Sequence, residues 1–216
     1  MVYDDYGELS LEHEYHNLGN DYYKIGEFDK AVEHYNKALE LRPDLLETYF
    51  NRGLAYTRKQ QYDKAIEDLN KVIELNPNLA EAYYTRGLAR LKRGDIQGGL
   101  EDLDTTIHLS PGFRGALVQR GLVHQHLGNT QQALKDLKRA IEVDARDPHA
   151  HYQLGRILEK DEQFPEALGS YQEALRLKPR VELRKLIQER ISSVQRPARE
   201  ALERRAKIRK ILREFW

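Results

Sequence analysis

Five glycines fall at one fixed interval along the chain. Gly19, Gly53, Gly87, Gly121 and Gly155 are each 34 residues apart, and Ala31, Ala65, Gly99, Ala133 and Ala167 keep the same step. Pro43, Pro77, Pro111 and Pro179 fall on it as well. A period of this length marks a stacked array, in which no unit buries its apolar face alone and each leans on its neighbours. Five repeats follow, at residues 12–45, 46–79, 80–113, 114–147 and 148–181. Residues 1–11 form an N-terminal extension, and 182–196 and 197–216 lie beyond the last repeat.

Inside each repeat the apolar spacing is helical. Tyr49, Gly53 and Tyr56 recur at i, i+4 and i+7, the stripe of an amphipathic helix. A break at Lys59-Gln60-Gln61 precedes a second stripe of Tyr62, Ala65, Ile66, Leu69, Val72, Ile73 and Leu75. Pro77 then stops the helix, because it has no amide hydrogen and its ring clashes with the preceding turn. Gly26, Gly94 and Gly128 serve the turn between the helices in three copies. Glycine at the eighth place and alanine or glycine at the twentieth let helices A and B of each repeat approach closely. Tyr15, Tyr49, Tyr83, Leu117 and His151 share one place and read as stacking core.

These residues resemble the tetratricopeptide repeat (TPR) family. Its pattern of an aromatic, Leu-Gly, Tyr, Ala, Tyr and Pro is met by Tyr15, Leu18-Gly19, Tyr22, Ala31, Tyr35 and Pro43. The resemblance covers residues 12–181. It implies an all-α fold: a right-handed TPR superhelix, or α-solenoid, of antiparallel helix pairs, with the A helices lining a concave groove that holds peptides. Residues 182–196, with Leu183, Leu186, Ile187, Ile191 and Val194, read as the capping helix. Residues 197–216 read as an extra basic amphipathic helix opened by Pro197.

One departure from the family pattern is informative. Leu at the seventh place survives only as Leu18 and Leu154, and the three inner repeats carry Arg52, Arg86 and Arg120. The same three repeats carry Asp68, Asp102 and Asp136 at the twenty-third place, where the outer repeats have His34 and Ser170. Arginine and aspartate coming and going together predict an ion pair between helices A and B, since a buried arginine needs a partner.

Under the family geometry the groove is lined from particular places of helix A. One gives His16, Phe50, Tyr84, Val118 and Tyr152; the next gives Asn17, Asn51, Thr85, Gln119 and Gln153, polar in every copy. Asn20, Leu54, Leu88, Leu122 and Arg156 follow, then a basic place with Lys24, Arg58, Lys92, His126 and Lys160. Apolar and aromatic residues edged by amides suit an extended or partly helical peptide, because an amide both donates and accepts. The resemblance does not extend to members that clamp the carboxylate of chaperone tails. Their cationic places here hold His16, Glu81 and Thr85, although Asn20 and Asn51 match. The amide row is more similar to the asparagine-lined inner surface of O-linked N-acetylglucosamine transferase, without any catalytic domain following it.

Chemistry and location are constrained mainly by what is missing. The chain has no cysteine, which removes disulfides and thiolate sites, and it shows no phosphate-binding loop, GxSxG or HExxH motif. His13 with His16, and His149 with His151, are two-histidine spacings without a third ligand. We therefore expect no enzyme, no cofactor and no metal. No apolar run approaches a membrane span, and no signal peptide is recognisable, so a cytoplasmic location is expected. The net charge of zero hides a dipole: residues 1–45 hold eleven acids against four bases, and residues 182–216 hold eleven bases against five acids. The expected function is a scaffold or adaptor that binds a peptide or helical segment of another protein, with no small-molecule substrate. The alternative is a nucleic-acid- or membrane-associated factor working through the basic helix 197–216, which could otherwise mediate self-association.

Overall fold

The computed structural model describes residues 10–215, with side chains through Arg209. The rest of the N-terminal extension, Trp216 and the side chains of Ile211, Leu212 and Phe215 lie outside the described residues. Helix follows helix, and no strand occurs among the described residues. The contacts divide the chain into two compact units, residues 1–111 and 112–216.

The first unit holds three helix pairs: α1 (Leu11–Lys24) with α2 (Phe28–Leu41), α3 (Leu46–Arg58) with α4 (Tyr62–Leu75), and α5 (Ala80–Arg93) with α6 (Ile96–Leu109). Each pair packs closely, α2 also packs on α3 and α4 on α5, and the successive A helices α1, α3 and α5 touch. The pairs are one repeat each, as the 34-residue period requires. Between A and B every repeat turns through one left-handed residue at the same place. Gly26, Gly94 and Gly128 take it with φ of 83°, 97° and 82°, whereas Gln60 (59°) and Glu162 (55°) hold it without glycine. Glycine meets no steric penalty there; a side chain does. Asp95 caps α6 by accepting from the Gly98 amide at 2.9 Å.

The second unit holds α7 (Arg114–His126) with α8 (Thr130–Val143), α9 (Pro148–Lys160) with α10 (Phe164–Arg176), and the long α11 (Val181–Phe215). Asp147 caps α9 through the His149 amide, and Pro148 occupies the first turn, where a missing amide hydrogen costs nothing. Val143 ends α8 where Ala145 replaces the periodic proline. The core joins Leu134, Leu137, Tyr152, Ile157 and Tyr171 to Leu183, Ile187 and Val194 of α11.

At Pro197 the structure differs from the two segments set out from the sequence. Helix α11 runs through Pro197 without ending. The proline removes one backbone hydrogen bond, but Val194 and Ala198 on either side of it are both buried. Packing, which supplies most helix stability in folded proteins, holds the helix across the gap.

Candidate functional site

The inner repeats are closed by the expected ion pairs. Arg52 donates to both Asp68 oxygens at 2.9 and 2.6 Å, Arg86 to Asp102 at 3.0 and 2.7 Å, and Arg120 to Asp136 at 2.8 and 2.6 Å. The aspartates are buried. Burial pushes the Asp68 carboxyl above its ordinary value while Arg52 pulls it back down; the two parallel N–H donors keep it ionised. A third bond was not expected from the sequence. Arg52 Nη1 donates to Asn36 and Arg86 Nη1 to Asn70, both at 2.7 Å. Each of these asparagines sits on the B helix of the preceding repeat, so the arginine ties three helices rather than two. Asn36 and Asn70 are themselves 34 residues apart, which was the available signal.

The outer repeats close differently. A methyl added to Gly19 would meet the Tyr35 ring at 2.5 Å, and one added to Gly155 would meet the Tyr171 ring at 2.5 Å. The ring packs directly against the glycine, and this contact stands where the inner repeats have the ion pair. Tyr35 and Tyr171 are fully buried. Each hydroxyl has a partner: Asn20 Oδ1 at 2.7 Å and Glu159 Oε2 at 2.6 Å. In both tyrosines burial raises the hydroxyl pKa, so both donate as neutral phenols.

On the A-helix face of the first unit a polar network surrounds Asn20. Its Oδ1 accepts from Tyr35 Oη and from Asn51 Nδ2 at 2.8 Å, and its Nδ2 donates to His16 Nε2 at 2.9 Å. With Nε2 accepting, His16 Nδ1 carries the proton and donates to Thr48 Oγ1 at 2.8 Å. Burial pushes the His16 imidazole below its ordinary pKa, which agrees with a neutral ring. Beside this network lies a depression lined by Asn20, Tyr23, Lys24, Tyr35, Asn51 and Leu54. Arg58 reaches across from α3 to donate to Tyr23 Oη at 3.3 Å. Phe50, Leu54, Tyr84 and Leu88 are half-buried, and Asn17, Arg58 and Lys92 are exposed. Thr85 is buried, and its hydroxyl bonds back to the Glu81 carbonyl at 2.7 Å, so it adds little to a polar edge.

The corresponding face of the second unit is more cationic. Val118, Gln119 and Leu122 on α7 and Gln153 on α9 are half-buried, and Tyr152 is buried in the core against Tyr171. A second depression is lined by Gln125, Arg156, Glu159, Lys160 and Arg190. Arg190 pairs with Glu159 at 3.5 Å, and Arg156 donates to Gln153 Oε1 at 3.1 Å. Three cations against one carboxylate favour a ligand with an acidic group. No cluster of three metal-ligating side chains occurs among the described residues. None of the helices searched is long and apolar enough to cross a membrane.

The sequence matches the family described as "TPR repeat" at residues 19–60 and 53–94, and that described as "Tetratricopeptide repeat" at residues 118–181. No curated protein matches the chain. Among solved structures it is similar to MamA, with 27% identity over 74% of this chain and 94% of MamA and a TM-score of 0.68. It shares its fold with YrrB, described as a TPR protein with an unusual peptide-binding site, at 23% identity, 81% and 90% coverage and a TM-score of 0.63. It is also similar to the first TPR of Spaghetti (RPAP3) bound to an HSP90 peptide, at 27% identity, 54% and 93% coverage and a TM-score of 0.52.

Proposed function

The chain belongs to the tetratricopeptide repeat family, and from that premise we propose that it is a non-catalytic scaffold or adaptor holding a peptide segment of a partner protein on its A-helix face. TPR repeats are generally interaction modules, and two of the similar structures are described by their peptide binding. The observation that carries the reading is the depression at Asn20, Asn51 and Leu54. Asn51 spends one amide hydrogen on Asn20 and keeps its carbonyl side unbonded among the described residues. An amide held in place this way can accept from a ligand main chain while Leu54 takes an apolar side chain. Lys24, Arg58 and Lys92 along the same face, and Arg156 and Lys160 in the second unit, favour a peptide carrying acidic residues. The absence of cysteine from the chain suits a reducing compartment such as the cytoplasm.

The test is selection of displayed random peptides on the full chain, followed by measurement on Leu54→Ser/Leu88→Ser. Peptides that carry an acid beside apolar residues and bind the variant at least tenfold more weakly support the reading. Enriched peptides that bind both proteins equally would overturn it.

A further inference from the structure

Among the described residues each unit has an exposed apolar face, and the two match in spacing and differ in charge. The first is on α1. Leu11, Leu18 and Ile25 stand seven residues apart and are 51%, 43% and 71% exposed. At 100° per residue they fall within a narrow stripe. Exposed Glu14 and Asp21 run along one edge, Asp21 paired with Lys24 at 2.9 Å. The opposite edge is formed by Tyr15 and Tyr22, under Lys37 and Lys30, and those lysines are paired with Glu33 and Glu27.

The second face is on α11. Ile187, Ile191, Val194, Ala198, Ala201, Arg205, Ile208, Leu212 and Phe215 alternate in steps of four and three, the spacing of a helix–helix seam. Its first half is used: Ile187, Val194 and Ala198 are buried, and Ile191 packs on the same core. Arg205 makes the last described contact of the seam with the unit, an ion pair to Glu166 at 2.8 Å. Past it Ile208 is 57% exposed, and Leu202 beside the seam is 53% exposed. Leu212 and Phe215 continue the spacing in sequence. Exposed Arg204, Lys207 and Arg209 surround this stretch, with Arg199, which pairs with Glu203 at 3.0 Å. A seam that packs for half its length and then runs on is built for a second helix.

We propose that the occupant is α1 of a second copy of this chain, giving a head-to-tail contact between the acidic first helix of one molecule and the basic end of α11 of another. The apolar row of α1 spans about 21 Å, and α11 runs on from the exposed Leu202 to Phe215 for about 20 Å, at 1.5 Å per residue. Pairing two α11 ends would instead set one basic surface against another. The contact is heterologous, so each copy keeps one free face of each kind, and the assembly grows as an open chain. One helix on one helix buries less than the roughly 1,000 Å² of a stable interface, so growth requires high protein concentration.

Sedimentation equilibrium on the full chain tests this with two surface variants, Leu18→Glu/Ile25→Glu and Leu202→Glu/Ile208→Glu, each checked for unchanged helical circular dichroism. The wild type is expected to rise above 25.3 kDa with concentration and to pass the dimer without a plateau. Each variant alone is expected to stay monomeric. Their equimolar mixture retains one intact pairing and is expected to reach a heterodimer and stop. A wild type that stays monomeric throughout would overturn the proposal. So would an α1 variant that still associates while the α11 variant does not, since that outcome means tail-to-tail pairing. Retained association of both variants together with salt-sensitive binding of a duplex RNA probe would assign the basic end to nucleic acid instead.

Discussion

The inner and outer repeats solve one packing problem in two ways. In repeats 2 and 3 an arginine of helix A reaches an aspartate of helix B and an asparagine of the repeat before. In repeats 1 and 5 a tyrosine ring covers the glycine, with only its hydroxyl needing a partner. An inner repeat has a neighbour on either side, and the charged clamp fixes its position against the one before it. A buried charge pair adds little net stability, because desolvation offsets the attraction, but it penalises any arrangement that separates its members. In the first repeat a ring closes the helix pair without placing a charge in its core.

The comparison is most sharply broken by cutting a clamp on one side only. Asp102→Ala leaves the half-buried Arg86 and Arg90, both of which it pairs, without their carboxylate and is expected to destabilise the first unit by about 3–5 kcal/mol. Arg86→Leu/Asp102→Leu removes both members of the pair, leaves Arg90 its contacts to Asp95 and the Gly98 carbonyl, and is expected to cost less, as read by urea unfolding. Equal losses would mean that the clamp acts through something other than charge pairing.

The tyrosine side of the comparison predicts a smaller effect of packing origin. Gly155→Ala drives a methyl into the Tyr171 ring at 2.5 Å and should cost about 1–3 kcal/mol. Gly53→Ala, where the nearest side-chain atom is Leu69 at 3.2 Å, should cost less. A reversed order would show that the ring does not rest on the glycine as described.

The His16 network gives the first repeat a pH dependence. The folded-state pKa of His16 is lowered by burial, so the unfolded chain binds the proton more readily. Stability is then full above the ordinary histidine value of 6.5 and declines as pH falls through it toward the folded pKa. Thermal unfolding at pH 7.5 and 5.5 should show a drop that His16→Gln reduces. The smallest effect is a gain. Gln60 holds a left-handed backbone that its side chain disfavours, so Gln60→Gly should stabilise by roughly 0.5–1 kcal/mol. Gly94→Ala, at the same place one repeat on, should lose a similar amount.

The features legible in the sequence are those that repeat. The 34-residue period gives the helix pairs, and the joint appearance of arginine and aspartate gives the clamp. Context decides the rest. Gln60 and Glu162 take the left-handed turn because the helices on either side require it, against their own preference. Pro197 reads as a boundary by local chemistry, and only the burial of Val194 and Ala198 shows why the helix continues. The period runs unbroken across residues 111 and 112, so spacing carries no sign of two units. At the candidate face, the groove places of helix A were legible as a set, but their individual states were not. Thr85 turns its hydroxyl to its own helix, and Tyr152 enters the core because Tyr171 stands opposite it, where the inner repeats have leucine.

Under the proposed function, residues that fold the array and residues that bind stand side by side within one repeat. Isothermal titration of a selected peptide, with melting temperatures measured alongside, tests it on two variants. Asn51→Ala/Leu54→Ser is predicted to lose at least tenfold in affinity and to keep a melting temperature close to wild type. Arg86→Leu/Asp102→Leu is predicted to bind as wild type does. Undiminished binding by the Asn51/Leu54 variant would contradict the account.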